Sequence, residues 1–458
     1  MALASFKSAK SVVGLSESPI YHYQYSSISE TVSNLARTSQ ERDERRNLLQ
    51  RLFLERFKLK PIMDWQSDGV SLFREHSRCL KDLQFVYKAN TVIRGNKPIG
   101  IGYPLLFINL ADVANRWSLP FEVEIAGKET DYVSLAAQKM IELCGREEFK
   151  DLLNVNTADA SFGCPKYLSP TSKIDNLVSI TRLRHGRKVC FAEGKKTGGA
   201  PQIYGEDWYL REVSGDWTRT TSKEQIITKY QRSICENEPH EQTEVFTKTK
   251  KEREIRIEIR RWKRMLMHSE DGFSMKQAEF DLVSFRVLDA KTGVRVFKED
   301  VCVAVMGLER KKLGLKEIYE RFRRRFDLEV TNRFLKQEMF LEAYETPNKE
   351  NVENWVLTAQ TAMWLLYEAA DEVESISAKW QKYNEPKVKE GAKRTPSQTK
   401  KGLERLFLSF EKEPYLPQRC EKGQGRKKGK KLEKRKEYQV EKKERVVKKG
   451  KRKDKQQE

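Results

Sequence analysis

The amino-acid sequence predicts a mixed α/β fold, and the order of its apolar patterns leads to this prediction. Short apolar runs, which are typical of buried strands, recur from residue 61 to residue 181. Residues 130–145 instead carry apolar side chains at helical spacing, between the third run and the fourth. The predicted order is strand-strand-strand-helix-strand-helix-strand, which favours one mixed sheet with flanking helices.

Each predicted strand rests on a local pattern. The first strand, at 61–63, leads into Asp64, where we expect it to end. The second and third strands are predicted at 84–87 and 99–108. The fourth begins with 152–155 and ends near Asp159, and the fifth begins with 176–181. These elements open a central domain that we predict to cover residues 59–384.

The N-terminal region, residues 1–58, is predicted to be helical from residue 27 onward. Ser27 and Glu30 have the spacing of a capping box, and leucines and other apolar residues follow at helical spacing. Two interpretations remain open for this region. It is either a pair of surface helices packed on the core or a module that binds DNA ends.

The second half of the chain begins with polar residues and ends with basic ones. A hairpin is predicted from 280–288 and 294–297, around a five-residue loop that ends in glycine. A further strand at 301–306 and helices at 315–340 and 351–383 follow. Residues 385–458 are predicted to form a basic linker and a disordered tail, since 421–458 hold 18 Lys and Arg residues against 7 Asp and Glu residues.

The charge balance indicates the class of partner. The formal net charge is +21, which suits a polyanionic partner, either nucleic acid or an anionic membrane surface. No apolar run is long enough to span a bilayer, and no signal peptide follows the first methionine. The seven scattered cysteines form no C-x-x-C pair, so neither a disulfide framework nor a zinc site is expected. These features favour a protein of the cytoplasm.

One stretch combines charged and apolar residues at a spacing with chemical meaning. Phe322, Arg325, Glu329 and Lys336 follow one another at intervals of 3, 4 and 7 residues, which places them on one side of a helix. A neighbouring stripe is expected to pack on a sheet: Phe326, Val330 and Phe334. The pattern therefore predicts a carboxylate at the edge of the core with a cation on either side.

This stretch resembles the Y-x2-R-x3-E-x6-K signature of a large group of bacterial insertion-sequence transposases. Arg325, Glu329 and Lys336 match the signature, whereas Phe322 replaces its tyrosine and lacks a hydroxyl to donate to DNA. Other segments resemble transposases of the DDE superfamily, over roughly 60–190 and 280–430. They are Phe85–Asn90 with Gly95–Pro98, Ala158–Gly163, Asp175–Val178, Arg182–Arg184, Glu345–Pro347, Glu353–Trp355 and Arg394–Ser397.

The resemblance implies an RNase H-like fold with a β-rich insertion, here at about 190–300, between the second and third catalytic carboxylates. It implies that Asp64, Asp159 and Glu329 hold two Mg²⁺ ions, for which Mn²⁺ can substitute. Hard carboxylate oxygens suit Mg²⁺, and two such ions stabilise both the attacking and the leaving oxygen of a phosphodiester. Asp68 remains an alternative to Asp64 as the first carboxylate.

The predicted function is that of a DNA transposase, which binds the terminal inverted repeats of its own element and catalyses strand cleavage and strand transfer. DNA contacts are assigned to Phe322, Arg325 and Lys336. The resemblance further implies a homodimer that pairs two element ends, in the nucleoid of a bacterial cytoplasm. Two alternatives stay open: a catalytically inactive DNA-binding descendant of a transposase, and another RNase H-fold nuclease such as a junction resolvase.

Overall fold

A computed structural model of the protein describes residues 1–18, 25–88, 98–192, 203–220, 226–249, 252–270, 272–373, 393–410, 429 and 434–441. It shows a mixed α/β architecture, as predicted, with one large sheet and helices against it. Part of the predicted Phe85–Pro98 segment, residues 89–97, lies outside the described residues. Across the described ranges, no helix has the length and apolar character needed to cross a membrane.

Nine α-helices occur in the described parts of the chain. They are α1 (Ala2–Ser5), α2 (Tyr25–Leu35), α3 (Ser39–Arg56), α4 (Tyr132–Cys144), α5 (Pro165–Thr171), α6 (Leu315–Arg324), α7 (Phe326–Gln337), α8 (Lys349–Ala369) and α9 (Pro396–Phe410).

The strands of the first half are β1 (Ile62–Phe73), β2 (Gln84–Tyr87), β3 (Ile99–Asp112), β4 (Trp117–Ile125), β5 (Leu153–Ala158), β6 (Leu177–Arg182) and β7 (Lys188–Phe191). Those of the second half are β8 (Trp208–Tyr209), β9 (Gly215–Thr220), β10 (Ile226–Gln231), β11 (Glu241–Lys248), β12 (Glu254–Met267), β13 (Phe280–Asp289) and β14 (Val301–Met306). The large sheet runs β2-β3-β1-β5-β6-β14-β13-β12-β7-β8, with β4 on β3 and β11 on β12.

Strand β1 is the centre of the first half of the sheet. It pairs antiparallel with β3 and parallel with β5, and β5 pairs parallel with β6. The prediction that the first strand ends at Asp64 is wrong, because β1 continues for nine more residues against β3. The strand β4, which had not been predicted, completes an antiparallel hairpin with β3.

Side-chain hydrogen bonds hold the β1–β5 register. Trp65 donates its indole N–H to Asn154 Oδ1 at 2.9 Å, and Ser67 Oγ donates to Asn156 Oδ1 at 3.0 Å. All four side chains are buried, so a slip of one residue would leave several polar groups without partners. This register decides which residue of β1 stands beside the end of β5.

The sheet separates two apolar clusters. Trp65 belongs to the larger one and packs edge-on against Phe121 and Phe149. The smaller cluster lies on the opposite face, where Val155 and other β-branched residues of the sheet contact Ile318 of α6. Alternation of side chains along β1 therefore sends even-numbered residues such as Asp64 and Asp68 towards α6 and α7.

The region between 188 and 306 is largely β-structured. Strands β14, β13 and β12 extend the sheet from β6 with antiparallel pairing throughout. The predicted hairpin is only half correct: β13 forms, whereas 294–297 makes no strand and contributes a single bridge from Arg295 to Leu288. The partners of β13 are the distant β12 and β14, which the local turn pattern could not indicate.

The part of the N-terminal region after residue 24 forms the two helices α2 and α3, as its apolar spacing predicted, but their start signal is different. Helix α2 begins at Tyr25, so Ser27 and Glu30 lie inside it and form no capping box. The cap is at α3, where Thr38 Oγ1 accepts from the backbone N–H of Glu41. Phe53 of α3 stacks on Trp364 of α8 at 5.2 Å, which packs this pair on the core.

The prediction of a linker and disordered tail over 385–458 is wrong for two segments. Residues 396–410 form α9, which packs against α1 and α8. In addition, the backbone N–H groups of Tyr438 and Glu441 donate to the carbonyls of Arg78 and Leu83. Most of the rest of 385–458 lies outside the described residues.

Lys400 of α9 carries a prediction about stability, because its side chain is completely buried. Burial lowers the pKa of Lys400 to about 8 from its ordinary 10.5. Because the pKa of Lys400 is lower in the folded state than in the unfolded state, protonation favours unfolding. The folded protein is therefore more stable above pH 10.5, and it loses this stability as the pH falls from 10.5 through 8. We expect Lys400→Met to raise the free energy of unfolding by about 1–3 kcal/mol at pH 7, and by less at pH 10.

Urea denaturation at both pH values measures this difference. Lys401→Met, one residue along the same helix, is the control and should show no comparable pH-dependent gain. An equal or lower stability of Lys400→Met at pH 7 would contradict the prediction.

Candidate functional site

The two aspartates that face each other across β1 and β5 are Asp68 and Asp159. Ser67 of β1 pairs with Ala158, the last residue of β5, in the parallel register. The residue that follows each of them in the sequence is an aspartate. Asp64 instead lies opposite Val155, about 13 Å back along the strand at roughly 3.3 Å per residue. The structure thus brings Asp68, and not Asp64, beside Asp159.

Asp68 has the electrostatics of a crowded carboxylate. Its Oδ1 accepts from the backbone N–H of Gly69 at 2.9 Å, and Asn332 Nδ2 of α7 lies 3.4 Å from its Oδ2. Burial, and next the charge of Asp159, raise the pKa of Asp68 to about 7. The positive charge of Arg325 lowers this pKa and the negative charge of Glu329 raises it further. Asp159, Arg325 and Glu329 therefore all lie near enough for their charges to act on Asp68.

Asp159 is held by the turn that follows β5. The backbone N–H and the hydroxyl of Ser161 both donate to Asp159 Oδ1, at 2.7 and 2.6 Å. This is an Asx turn, for which the Asp-x-Ser spacing is a readable sequence signal. The turn therefore fixes one carboxylate oxygen of Asp159.

Asp64 is occupied by a different partner. Arg321 of α6 donates from Nε to Asp64 Oδ1 at 2.7 Å, and both side chains are largely buried. Burial is the main cause that raises the pKa of Asp64, and the Arg321 charge opposes it. The ion pair of Arg321 and Asp64 anchors α6 to the sheet. It lies four residues before Asp68 along β1.

Glu329 reaches the site from α7, as the helix pattern predicted, but in contact with Arg325. Arg325 donates from Nη2 to Glu329 Oε1 at 2.9 Å. The Arg325 side chain is 9% exposed and that of Glu329 is 42% exposed. The guanidinium therefore lies under the carboxylate and orients it, while its own buried Nε has no hydrogen-bond partner.

The other two signature residues serve the packing. Phe322 stacks on Phe285 of the sheet at 5.8 Å, which turns its ring into the smaller apolar cluster. Lys336 donates to the carbonyl of Ser71 at 3.0 Å and pairs with Glu342 at 2.8 Å, so it ties α7 to β1. Phe322 has no group to donate to DNA and the ammonium of Lys336 already has two partners, while the DNA contacts assigned to these residues stay predictions.

The predicted apolar stripe of this helix is wrong for two of its three members. Phe326 is 60% exposed and Val330 is 57% exposed, and only Phe334 is buried. The helix breaks at Arg325, where the backbone changes to i−3 hydrogen bonds between α6 and α7. This break turns α7 so that Leu328 and Leu335 face the core in place of the stripe.

The oxygen atoms of Asp68, Asp159 and Asn332 are of the kind that binds a hard divalent cation, although they do not form a complete binding site. Within the described ranges, no group of three or more His, Cys, Asp or Glu side chains is close enough to hold a metal ion as it stands. Asp68 and Asp159 nevertheless offer carboxylate oxygens of the kind Mg²⁺ prefers, and Asn332 Oδ1 is buried nearby without a hydrogen-bond partner. Glu329 contacts Arg325 through Oε1.

A basic cleft opens beside the turn that holds Asp159. Its volume is about 530 Å³, and its lining residues are Arg184, Gly186, Arg187, Lys188, Met267 and His268. Arg187 joins the cleft to the turn, since it donates to the carbonyl of Gly163 at 3.2 Å. Arg187 also pairs with Glu270 and Lys188 with Asp207, which leaves Arg184 as an exposed cation at its rim. Such a cleft suits the phosphates of a nucleic acid.

No family model matches the sequence, and no curated protein matches it either.

Proposed function

We propose that this protein is a DNA transposase of the DDE type, which cleaves and joins DNA strands with divalent metal ions. The observation that carries the proposal is that Asp68 of β1 and Asp159, directly after β5, lie side by side, with Glu329 of α7 near enough for its charge to raise the pKa of Asp68. A raised pKa at a carboxylate with a specific charged neighbour is typical of functional sites. The proposed triad therefore uses Asp68 in place of Asp64.

The sheet topology supports an RNase H-like catalytic domain. The order β4-β3-β1-β5-β6, with the first three strands antiparallel and the last two parallel to β1, is the arrangement expected of that fold. Helices α4 and α5 make the connections before β5 and β6. The β-structured region 188–306 then lies between Asp159 and Glu329, as expected for the insertion in related transposases.

Two Mg²⁺ ions, or Mn²⁺ in their place, would stabilise the attacking and leaving oxygens of an in-line displacement. Asp68, Asp159 and Glu329 would hold them. Arg325 keeps Glu329 near the site from below, and Asn332 keeps Asp68 in place. Water is the first nucleophile and the freed 3′-hydroxyl the second, which gives cleavage and then strand transfer.

The partners follow from the same proposal. The net charge of +21 and the basic cleft beside Asp159 favour double-stranded DNA, first the terminal inverted repeats and then the target. Pairing of two ends calls for a homodimer. The proposed setting is the nucleoid of a bacterial cytoplasm.

A second candidate is a catalytically inactive DNA-binding descendant of a transposase. Two observations favour it: Glu329 is paired with Arg325, and Phe322, in place of the tyrosine of the signature, stacks on Phe285 of the sheet. A protein that only binds DNA would retain the basic cleft and make no use of the carboxylates.

Cleavage of a labelled duplex that carries the DNA flanking the coding sequence tests the proposal. We expect Mg²⁺-dependent nicking at the element boundary, with Glu329→Gln about 10²-fold slower while its DNA binding is unchanged. Glu320→Gln, an exposed glutamate of the preceding helix, is the matched control and should cleave normally. DNA binding without nicking in all three proteins would select the inactive descendant.

A further inference from the structure

The side chain of Tyr132 lies against residues that neighbour both aspartates, and it has no part in the function described so far. Tyr132 is the first residue of α4, and Asp131 caps this helix by accepting from the backbone N–H groups of Val133 and Ser134. Lys166 of α5 donates to the second oxygen of Asp131. Asp131, the residue before Tyr132, is thus held both by the first turn of α4 and by Lys166 of α5.

One face of the Tyr132 ring rests on the residue after Asp68. That residue is Gly69, and a Cβ atom placed there would lie 2.6 Å from the ring. Real Cβ atoms do not approach so closely, so the ring occupies space that only glycine leaves open. The ring therefore determines how β1 lies immediately beside Asp68.

The hydroxyl of Tyr132 contacts the turn that holds the second aspartate. It lies within reach of Ser161, whose single hydroxyl proton goes to Asp159 Oδ1 at 2.6 Å. Since that proton is committed to Asp159, the phenol has Ser161 Oγ as an acceptor. Phe162 packs edge-on against the Tyr132 ring at 5.8 Å, which steadies the turn. A continuous chain runs from Tyr132 through Ser161 to Asp159.

We propose that Tyr132 is a positioning residue that sets the spacing of Asp68 and Asp159 and so their affinity for a divalent cation. This rests on the proposed function, since that function places the cation at these two carboxylates. Outer partners of metal-binding side chains typically change metal affinity 10- to 100-fold when they are removed. The Tyr132 ring acts on one aspartate and its hydroxyl on the other.

Calorimetric titration of the full chain with Mn²⁺, without DNA, tests the positioning role. Tyr132→Phe keeps the ring on Gly69 and removes only the donor, and we expect it to weaken Mn²⁺ binding about 10-fold. Ser161→Ala should weaken binding similarly, and the double variant should bind no more weakly than either single one, because both residues act through one chain. Tyr319→Phe removes a hydroxyl on α6, where the ring packs on Phe285, and is the matched control.

The Mg²⁺ dependence of cleavage gives a second readout. In Tyr132→Phe we expect the half-saturating Mg²⁺ concentration to rise about 10-fold, with the rate at saturating Mg²⁺ close to that of the wild type. Mn²⁺ affinities that are equal in the wild type and Tyr132→Phe, while the wild type cleaves DNA, would overturn the positioning role alone. A wild-type protein that neither binds Mn²⁺ nor cleaves would overturn the proposed function, and this inference with it.

Discussion

Asp68→Asn is expected to reduce the rate of DNA cleavage by about 10³-fold or more, the scale at which a catalytic group is lost. Asparagine keeps the shape of the side chain but removes the charge that would bind a cation beside Asp159. Asp64→Asn is expected to leave the cleavage rate within about 10-fold of the wild type, because Asp64 is paired with Arg321 and lies about 13 Å from that position.

Single-turnover cleavage of the labelled duplex at saturating Mg²⁺ measures both rates. Thermal unfolding of each variant is the necessary control, since Asp64→Asn weakens a half-buried ion pair and should cost about 1–3 kcal/mol of stability. Assays below the unfolding range of both variants separate the two effects. A strong loss in Asp64→Asn with normal cleavage by Asp68→Asn would reverse the assignment of the first carboxylate.

Asn354→Ala is expected to lower the free energy of unfolding by about 3–5 kcal/mol and to loosen the N-terminal helices. Asn354 is completely buried in α8, and its Nδ2 donates to the carbonyls of Val32 and Ala36 at 2.9 and 2.8 Å. Its Oδ1 accepts from Arg42 Nε at 3.1 Å. Alanine would leave all three groups buried without these partners, at the junction of α2 and α3.

Urea denaturation gives the loss of stability, and hydrogen exchange of α2 and α3 shows where it acts. Asn351→Ala is the matched control on the same helix, because Asn351 makes one half-buried hydrogen bond to Ser33 and should cost about 1 kcal/mol or less. Equal effects of the two substitutions would mean that Asn354 does not hold the N-terminal helices.

Much of the central architecture follows from local pattern. The apolar runs and spacings predicted α4, β5 and β6 within a residue or two, because each element buries one side against the core and needs apolar residues at its own period. Strand β4 was missed since Pro120 and two glutamates interrupt its apolar pattern. Helix α9 was missed because it was grouped with the basic C-terminal segment, whereas burial of Leu403 holds it to the core.

Part of the candidate site could also be predicted from local sequence patterns. The resemblance drew attention to Asp159, Arg325 and Glu329, and all three lie where charges meet Asp68. Sequence reasoning did not find Tyr132, Ser161 or Asn332, whose contacts join segments far apart in the chain. The Asp-x-Ser turn at 159–161 was the one local signal among them.

The sequence by itself determined the mixed α/β class, the basic character of the protein and the helix that carries Glu329. Only the tertiary structure shows which of Asp64 and Asp68 lies beside Asp159. These residues are four apart on one strand, so both face the same side of the sheet and a period-2 pattern cannot separate them. The choice was made by the register of β1 against β5, which the buried Trp65–Asn154 and Ser67–Asn156 hydrogen bonds hold in place.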